Sequence, residues 1–296
     1  MAPAQTSERA EESNEHEMSH AAAVALNNGV QVPQIGFGVF QVPPAETQGA
    51  VERALEAGYR HIDTAAAYSN EAGVGAAVRA SGIPRERLFL TTKLRNGEHG
   101  YESTLKAYDD SLARLDVSRA DLYLIHWPHP TADTFVDSWR AMERIYQEGR
   151  VRAIGVSNFL PEHLERLRNE TETVPVVNQI ELHPTYQQSE VTQICRRQSI
   201  AVEAYSPLGQ GHDLGLPVIS ALADKHGITP AQIVLRWHLQ QGHIVIPKSI
   251  SPDRIRSNLD VVGFSLTPTE MASITALECG HRIGNDPRTF SISQIR

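Results

Sequence analysis

The sequence predicts an α/β fold, a (β/α)8 TIM barrel in a single domain. From residue 35 onward, eight strand-like runs alternate with helix-like segments. Most of the runs are continuously apolar rather than alternating, as strands buried on both faces of a parallel sheet are. No linker rich in Pro, Gly or Ser interrupts the series, so residues 23–296 read as one domain.

The strands are IGFGVF (35–40), YRHID (59–63), LFLTTKL (88–94), DLYLIHW (121–127), VRAIGVS (151–157), VVNQIEL (176–182), AVEAYSP (201–207) and HIVIPKS (243–249). Between them the apolar period is 3.6 residues. Thr47, Val51, Ala54 and Leu55 share one face of a helix that Gly58 stops. Leu105, Tyr108, Leu112 and Leu115 line another. In ITPAQIVLRWHLQQG, Thr229 is the N-cap and Pro230 opens the first turn, and the helix ends at Gly242. A doubly wound sheet is the competing architecture and would carry a glycine fingerprint after its first strand. Gly36-x-Gly38, Gly73-x-Gly75 and Gly209-x-Gly211 lack its third member and read as turns.

Composition narrows the function. The chain has 296 residues, 41% of them hydrophobic, enough for a large core. A net charge of −8 without a long basic stripe argues against nucleic acid or an anionic membrane as partner. No apolar run approaches the roughly 20 residues of a membrane helix. Residues 1–22 are polar and acidic, lack the apolar core of a signal peptide, and read as a disordered tail. Two cysteines, Cys195 and Cys279, form no disulfide framework, so a cytoplasmic location is expected.

Chemistry in such a barrel gathers at the C-terminal ends of the strands. Asp63 ends the second strand and Tyr68 follows it; Lys93 ends the third and His126 the fourth. Singly, these residues read as an N-cap, a bonded core phenol, a surface charge and a core histidine. On three consecutive strand ends they read together as a site. A lysine ending an apolar strand is costly unless paired, and Asp63 is its expected partner. An adjacent ammonium is then expected to lower the Tyr68 pKa from about 10. His126 would orient a substrate oxygen. Such a site polarises a carbonyl and has no nucleophile of its own, so a hydride donor fits it. Two other chemistries use some of the same residues. His61, Asp63, His126 and His129 suggest a metal-dependent hydrolase, but Lys93 would intrude among the ligands, and no metal site is expected. Lys93 alone suggests a Schiff-base aldolase.

The motifs HIDTAAAYSNE, TTK, LIHWP, GVSNF, VNQIELHP, YSPLGQG and IPKS resemble those of the aldo-keto reductases, and the resemblance spans residue 23 to the end. Within that family, HPTYQQSEVT, PLGQG and LRWHLQQG are most similar to the bacterial 2,5-diketo-D-gluconate reductases. The resemblance implies that Asp63, Tyr68, Lys93 and His126 are the catalytic tetrad, with Tyr68 the proton donor in reduction of an aldehyde or ketone by NADPH. It implies that Ser157, Asn158 and Gln179 hold the nicotinamide carboxamide and Tyr205 stacks on its ring. Ser206, Leu208 and the backbone around Gly209 would approach the pyrophosphate.

In IPKSISPDRIRSN, Ser251 and Pro252 read as the N-cap and first turn of a helix whose N-terminus suits an anion. Lys248, Ser249 and Arg254 would bring two cations and a hydroxyl to a ribose 2′-phosphate, which favours NADPH over NADH, and Ile250 and Ser251 are expected to bind the cofactor beside them. Asp253 is expected to point outward. Asn258 would contact adenine; Ser257 stands where many relatives carry Glu. Tyr205 follows the broader family, whereas the diketogluconate reductases have an indole there. Phe40 and Trp127, with Tyr68 and His126, would wall the substrate pocket. The short tail HRIGNDPRTFSISQIR favours a small or polar carbonyl, such as a keto-sugar acid, over a steroid. The resemblance also implies a monomer. The competing function is an NADPH-binding regulatory module with little turnover.

Overall fold

The computed structural model describes residues 22–292. The expected disordered tail, apart from Ala22, lies outside the described residues. Strands β1 (Ala23–Ala25) and β2 (Gln31–Pro33) form an antiparallel hairpin with Val24 opposite Val32. The barrel strands follow: β3 (Phe37–Gly38), β4 (His61–Asp63), β5 (Phe89–Leu94), β6 (Leu122–Ile125), β7 (Ala153–Ser157), β8 (Val177–Glu181), β9 (Ala201–Tyr205) and β10 (Ile244–Val245). They pair in chain order, all parallel.

A parallel bridge between Ile35 and Val245 closes the ring, with the Gly36 N–H donating to the Val245 carbonyl at 2.8 Å. Gly38 is needed at this seam, because a Cβ there would lie 2.9 Å from the Ile246 carbonyl oxygen. All eight expected strands are present, shorter than their apolar runs. The runs continue as buried chain beyond the last ladder bond, as Leu182 and Ile246 do.

The helices are α1 (Pro44–Glu56), α2 (Glu71–Ala80), α3 (Tyr101–Leu115), α4 (Phe135–Gln147), α5 (Pro161–Glu170), α6 (Ser189–Arg197), α7 (Pro217–His226), α8 (Pro230–Gln240), α9 (Pro252–Leu259) and α10 (Pro268–Thr275). α1 buries Thr47, Val51, Ala54 and Leu55 as expected. Burial stabilises by about 1.5–3 kcal/mol for each side chain the size of Val51 or Leu55. α3 buries Tyr108 and Leu115 fully but Leu105 and Leu112 only partly, since Thr104, Ala107 and Ser111 hold the centre of its inward face. Thr229 caps α8 as expected, accepting from the Gln232 N–H at 3.2 Å. Gly73 and Gly75, read from sequence as turns, lie within α2 instead. A Cβ on Gly75 would collide with the Leu115 carbonyl oxygen, so glycine lets α2 approach the end of α3.

The two ends of the barrel differ in chemistry. At the N-terminal end, Leu26 and Val32 of the hairpin pack on Phe89, Leu122, Val177 and Ile244 and form an apolar floor. At the opposite end the strands finish in Asp63, Lys93, Ser157, Gln179, Glu181 and Tyr205. On β5 the alternation separates two tasks. The Thr92 hydroxyl donates outward to Glu71 of α2 at 2.5 Å, and Lys93 points into the barrel.

Candidate active site

Asp63, at the end of β4, is 2% exposed, and Lys93 of β5 is fully buried. Lys93 Nζ donates to Asp63 Oδ1 at 2.5 Å, to the Thr64 carbonyl at 3.0 Å and to the Tyr68 hydroxyl at 3.4 Å. Asp63 Oδ2 accepts from Gln179 Nε2 at 2.9 Å. The Tyr68 ring packs on Phe40 (centroids 5.1 Å apart) and edge-on against His126 (5.5 Å). The four residues read as a tetrad from sequence are therefore in one place. With all three Nζ protons donated, the amine has no lone pair for a Schiff base. His61 packs on Phe89 and His129 on His99, and no metal-ligand cluster forms among the described residues.

The expected lowering of the Tyr68 pKa is not found in this pocket. Burial first, then the charges of Asp63 and Glu203, push the phenol well above its ordinary 10. The physical reason is that burial disfavours the charged phenolate, and Asp63, 2.5 Å from Nζ, opposes the ammonium whose field was expected to dominate. Tyr68 is thus firmly a proton carrier at neutral pH. His126 is held well below 6.5 by burial and then by Lys93 and His99, so its ring is neutral.

A cavity of about 460 Å³ opens over Tyr68 and His126. Phe40, Trp127, Ser157, Asn158, Gln179, Tyr205, Ser206, Leu208, Lys248, Ser249, Arg254 and Asn258 line it. The polar wall is already bonded: the Tyr205 hydroxyl donates to Asn158 Oδ1 at 2.8 Å, and Asn158 Nδ2 donates to the His126 carbonyl at 3.0 Å. Lys248 and Arg254 form no ion pair among the described residues. Asp253 points outward as expected, 91% exposed and paired with Arg256.

Three residues expected at the cofactor do not line this cavity. Ile250 turns its side chain to solvent, 50% exposed. Gly209 (φ 56°) packs on Asp213, whose carboxyl carbon would lie 2.8 Å from a Cβ there. Ser251 occupies the N-cap position of α9 without a capping bond; its N–H donates to Ser249 Oγ at 3.1 Å. Other lining residues were missed, chiefly Glu181, Gln210, Leu214, Gly284 and Asn285. Glu181 was visible as a carboxylate ending an apolar strand in NQIEL; the remainder are loop residues that only the fold brings in.

A closed parallel barrel with Asp63, Lys93, Tyr68 and His126 gathered at its C-terminal mouth marks that end as the candidate active site. The Aldo/keto reductase family model matches residues 34–278, and the chain belongs to that family. It is 54% identical over 270 residues to an aldo-keto reductase of Mycolicibacterium smegmatis, covering 91% of this chain and 98% of that one. It is 46% identical over 275 residues to methylglyoxal reductase DkgA of Escherichia coli, covering 92% of this chain and 99% of that one. The solved structure of a Gox0644 mutant in complex with NADPH superposes with a TM-score of 0.88 at 46% identity, covering 91% of this chain and 98% of that one.

The ion pair predicts an asymmetric double-mutant cycle. Lys93→Met strands a buried carboxylate and should cost about 3–5 kcal/mol in urea unfolding, whereas Lys93→Met with Asp63→Asn should recover most of that loss. A single-variant cost near zero contradicts the pairing.

Proposed function

We propose that this protein reduces an aldehyde or ketone to the alcohol with NADPH, with Tyr68 as the proton donor. The observation that carries this reading is the Tyr68 hydroxyl, 3.4 Å from a carboxylate-anchored ammonium at the cavity wall. When bound, the cofactor supplies the hydride. The chain's own part is to hold the carbonyl and deliver a proton. Tyr68 gives its proton to the oxygen that gains charge, an alkoxide being more basic than a phenolate even with the phenol's pKa raised. The neutral His126 ring supports the same oxygen as a hydrogen-bond partner, and Lys93 Nζ, anchored by Asp63, keeps the Tyr68 oxygen positioned as it gives up its proton.

The cavity residues suit the cofactor. Ser157, Asn158 and Gln179 offer amide and hydroxyl groups to a carboxamide, and Tyr205 offers a ring face. Lys248 and Arg254, free of carboxylates among the described residues and beside buried Ser249, suit a 2′-phosphate. Burial of Ser249 and Asn258 next to these cations supports NADPH over NADH. Phe40 and Trp127, the latter tilted against Phe290 at 4.5 Å, narrow the mouth. That supports a small or polar carbonyl substrate, such as a keto-sugar acid like 2,5-diketo-D-gluconate, or a methylglyoxal-like or aromatic aldehyde.

Steady-state assays of small aldehydes and keto acids with NADPH test the reading. Turnover is expected, and tight NADPH binding without turnover on any carbonyl would leave only a binding module. Tyr68→Phe should lower kcat by about 10²–10⁴-fold while NADPH affinity stays within about twofold; retained turnover would remove Tyr68 as the acid. Arg254→Ala should raise the KM for NADPH by about tenfold, a loss near 1.4 kcal/mol, and leave that for NADH nearly unchanged. Equal losses for both cofactors would refute the 2′-phosphate site.

A further inference from the structure

One buried histidine outside the tetrad joins three separate loops of the cavity mouth. His183 follows β8, and its ring is fully buried between two carboxylates. Its Nδ1 lies 2.9 Å from Asp213 Oδ2, and its Nε2 lies 3.2 Å from Glu181 Oε1. Asp213, also fully buried, belongs to the loop after β9; Thr185 donates to it through Oγ1 at 2.8 Å and through N–H at 3.2 Å. Glu181 accepts the N–H groups of Ile283 and Gly284, at 2.6 and 2.8 Å, from the segment that follows α10. Each joined piece contributes cavity wall: Leu208, Gln210 and Leu214 from the first loop, Gly284 and Asn285 from the C-terminal segment, and Glu181 itself.

The geometry fixes the charge of the ring. A neutral imidazole has one N–H, so one nitrogen lone pair would face a carboxylate oxygen at hydrogen-bond distance. Only the imidazolium donates to both, and only the imidazolium offsets two buried carboxylates. The other groups nearby do not replace it. The His212 ring, half exposed and stacked on His281, approaches Asp213 Oδ1 at 3.1 Å from the outer side. Tyr186 flanks His183 with centroids 6.1 Å apart and carries the Arg282 guanidinium on its face. Tyr205 faces Glu181, and its phenol is held neutral by burial and by that carboxylate. His238 lies behind, held neutral chiefly by burial and by His243.

We propose that Glu181, His183 and Asp213 form a proton-dependent latch that holds the loop 206–216 and the segment 283–285 against the cavity and so sets the rate of NADPH release. His183 is then a positioning residue, acting through the loops it ties. The proposal rests on the cofactor reading above. Burial alone would depress the ring's pKa, but the bonds to Asp213 and Glu181 more than offset that and raise it to about 9. The sign follows: the tie is complete up to the ordinary histidine value of about 6.5 and is lost as pH rises through about 9.

Two readouts test the latch: protection of the Ile283 and Gly284 amides in hydrogen exchange without cofactor, corrected for intrinsic rates, and stopped-flow release of NADPH. In the wild type, protection should fall with a midpoint near pH 9, and release should be about tenfold faster at pH 10 than at pH 7. His183→Gln should release NADPH about tenfold faster at pH 7 and lose the pH step in both readouts. Thr185→Val keeps the imidazolium but loses one donor to Asp213, and should speed release by about threefold; it carries the test if His183→Gln fails to fold. Protection that is flat through pH 9 in the wild type, or release unchanged in Thr185→Val and His183→Gln, overturns the latch. A protection step near pH 9 in a protein that binds no NADPH overturns the cofactor reading and the gating claim with it.

Discussion

The buried pair of Lys93 and Asp63 is the constraint on which the site depends. Two opposite charges with almost no solvent exposure persist because the ammonium makes three hydrogen bonds and both carboxylate oxygens are bonded. Lys93 directs its three protons to Asp63, Thr64 and Tyr68, and the second oxygen of Asp63 takes Gln179. Residues from four places in the chain are thereby locked to one point, and the Tyr68 hydroxyl is aimed by the same ammonium. Burial is the main reason the phenol stays protonated, and the pair explains why the ammonium does not reverse it, because Asp63 already matches that charge.

The barrel makes that arrangement possible. Parallel strands end side by side, so short polar replacements at their last positions converge without distorting the ladder. The hairpin at residues 23–33 fills the far end with apolar side chains, which leaves the mouth as the place for charge. Close packing at the seam and between α2 and α3 needs glycine, at Gly38 and Gly75, where any Cβ would strike a carbonyl oxygen.

Much of this was legible in the sequence. The eight apolar runs are legible because burial on both faces erases alternation, and Lys93 at the end of one of them announced a partner. Asp253 was readable as outward-facing because a first-turn acid next to Arg256 has a local mate. The hairpin was missed, although AVALNNGVQV carries its turn: Gly29 has φ 84° and Asn28 Oδ1 accepts the Val30 N–H at 3.2 Å. The α2 glycines were misread as turns, because a sequence does not show which helix will press on which. The sign of the Tyr68 shift failed for a related reason. It depends first on how far the folded chain buries the phenol, which no local pattern around Tyr68 reveals. Ile250 was expected at the cavity from its motif, but a side chain's direction in a loop is set by its neighbours.

Family membership, the bonded Asp63–Lys93–Tyr68 group with His126 packed beside it, and the cavity cations Lys248 and Arg254, unpaired among the described residues, all support one account, in which a protonated phenol waits beside a fixed ammonium. The most direct measurement is the ultraviolet difference titration of tyrosinate, wild type minus Tyr68→Phe, in the free protein. The account predicts no ionisation of this one phenol up to about pH 10, the ordinary tyrosine value. A tyrosinate step near pH 8 that disappears in Tyr68→Phe would contradict it.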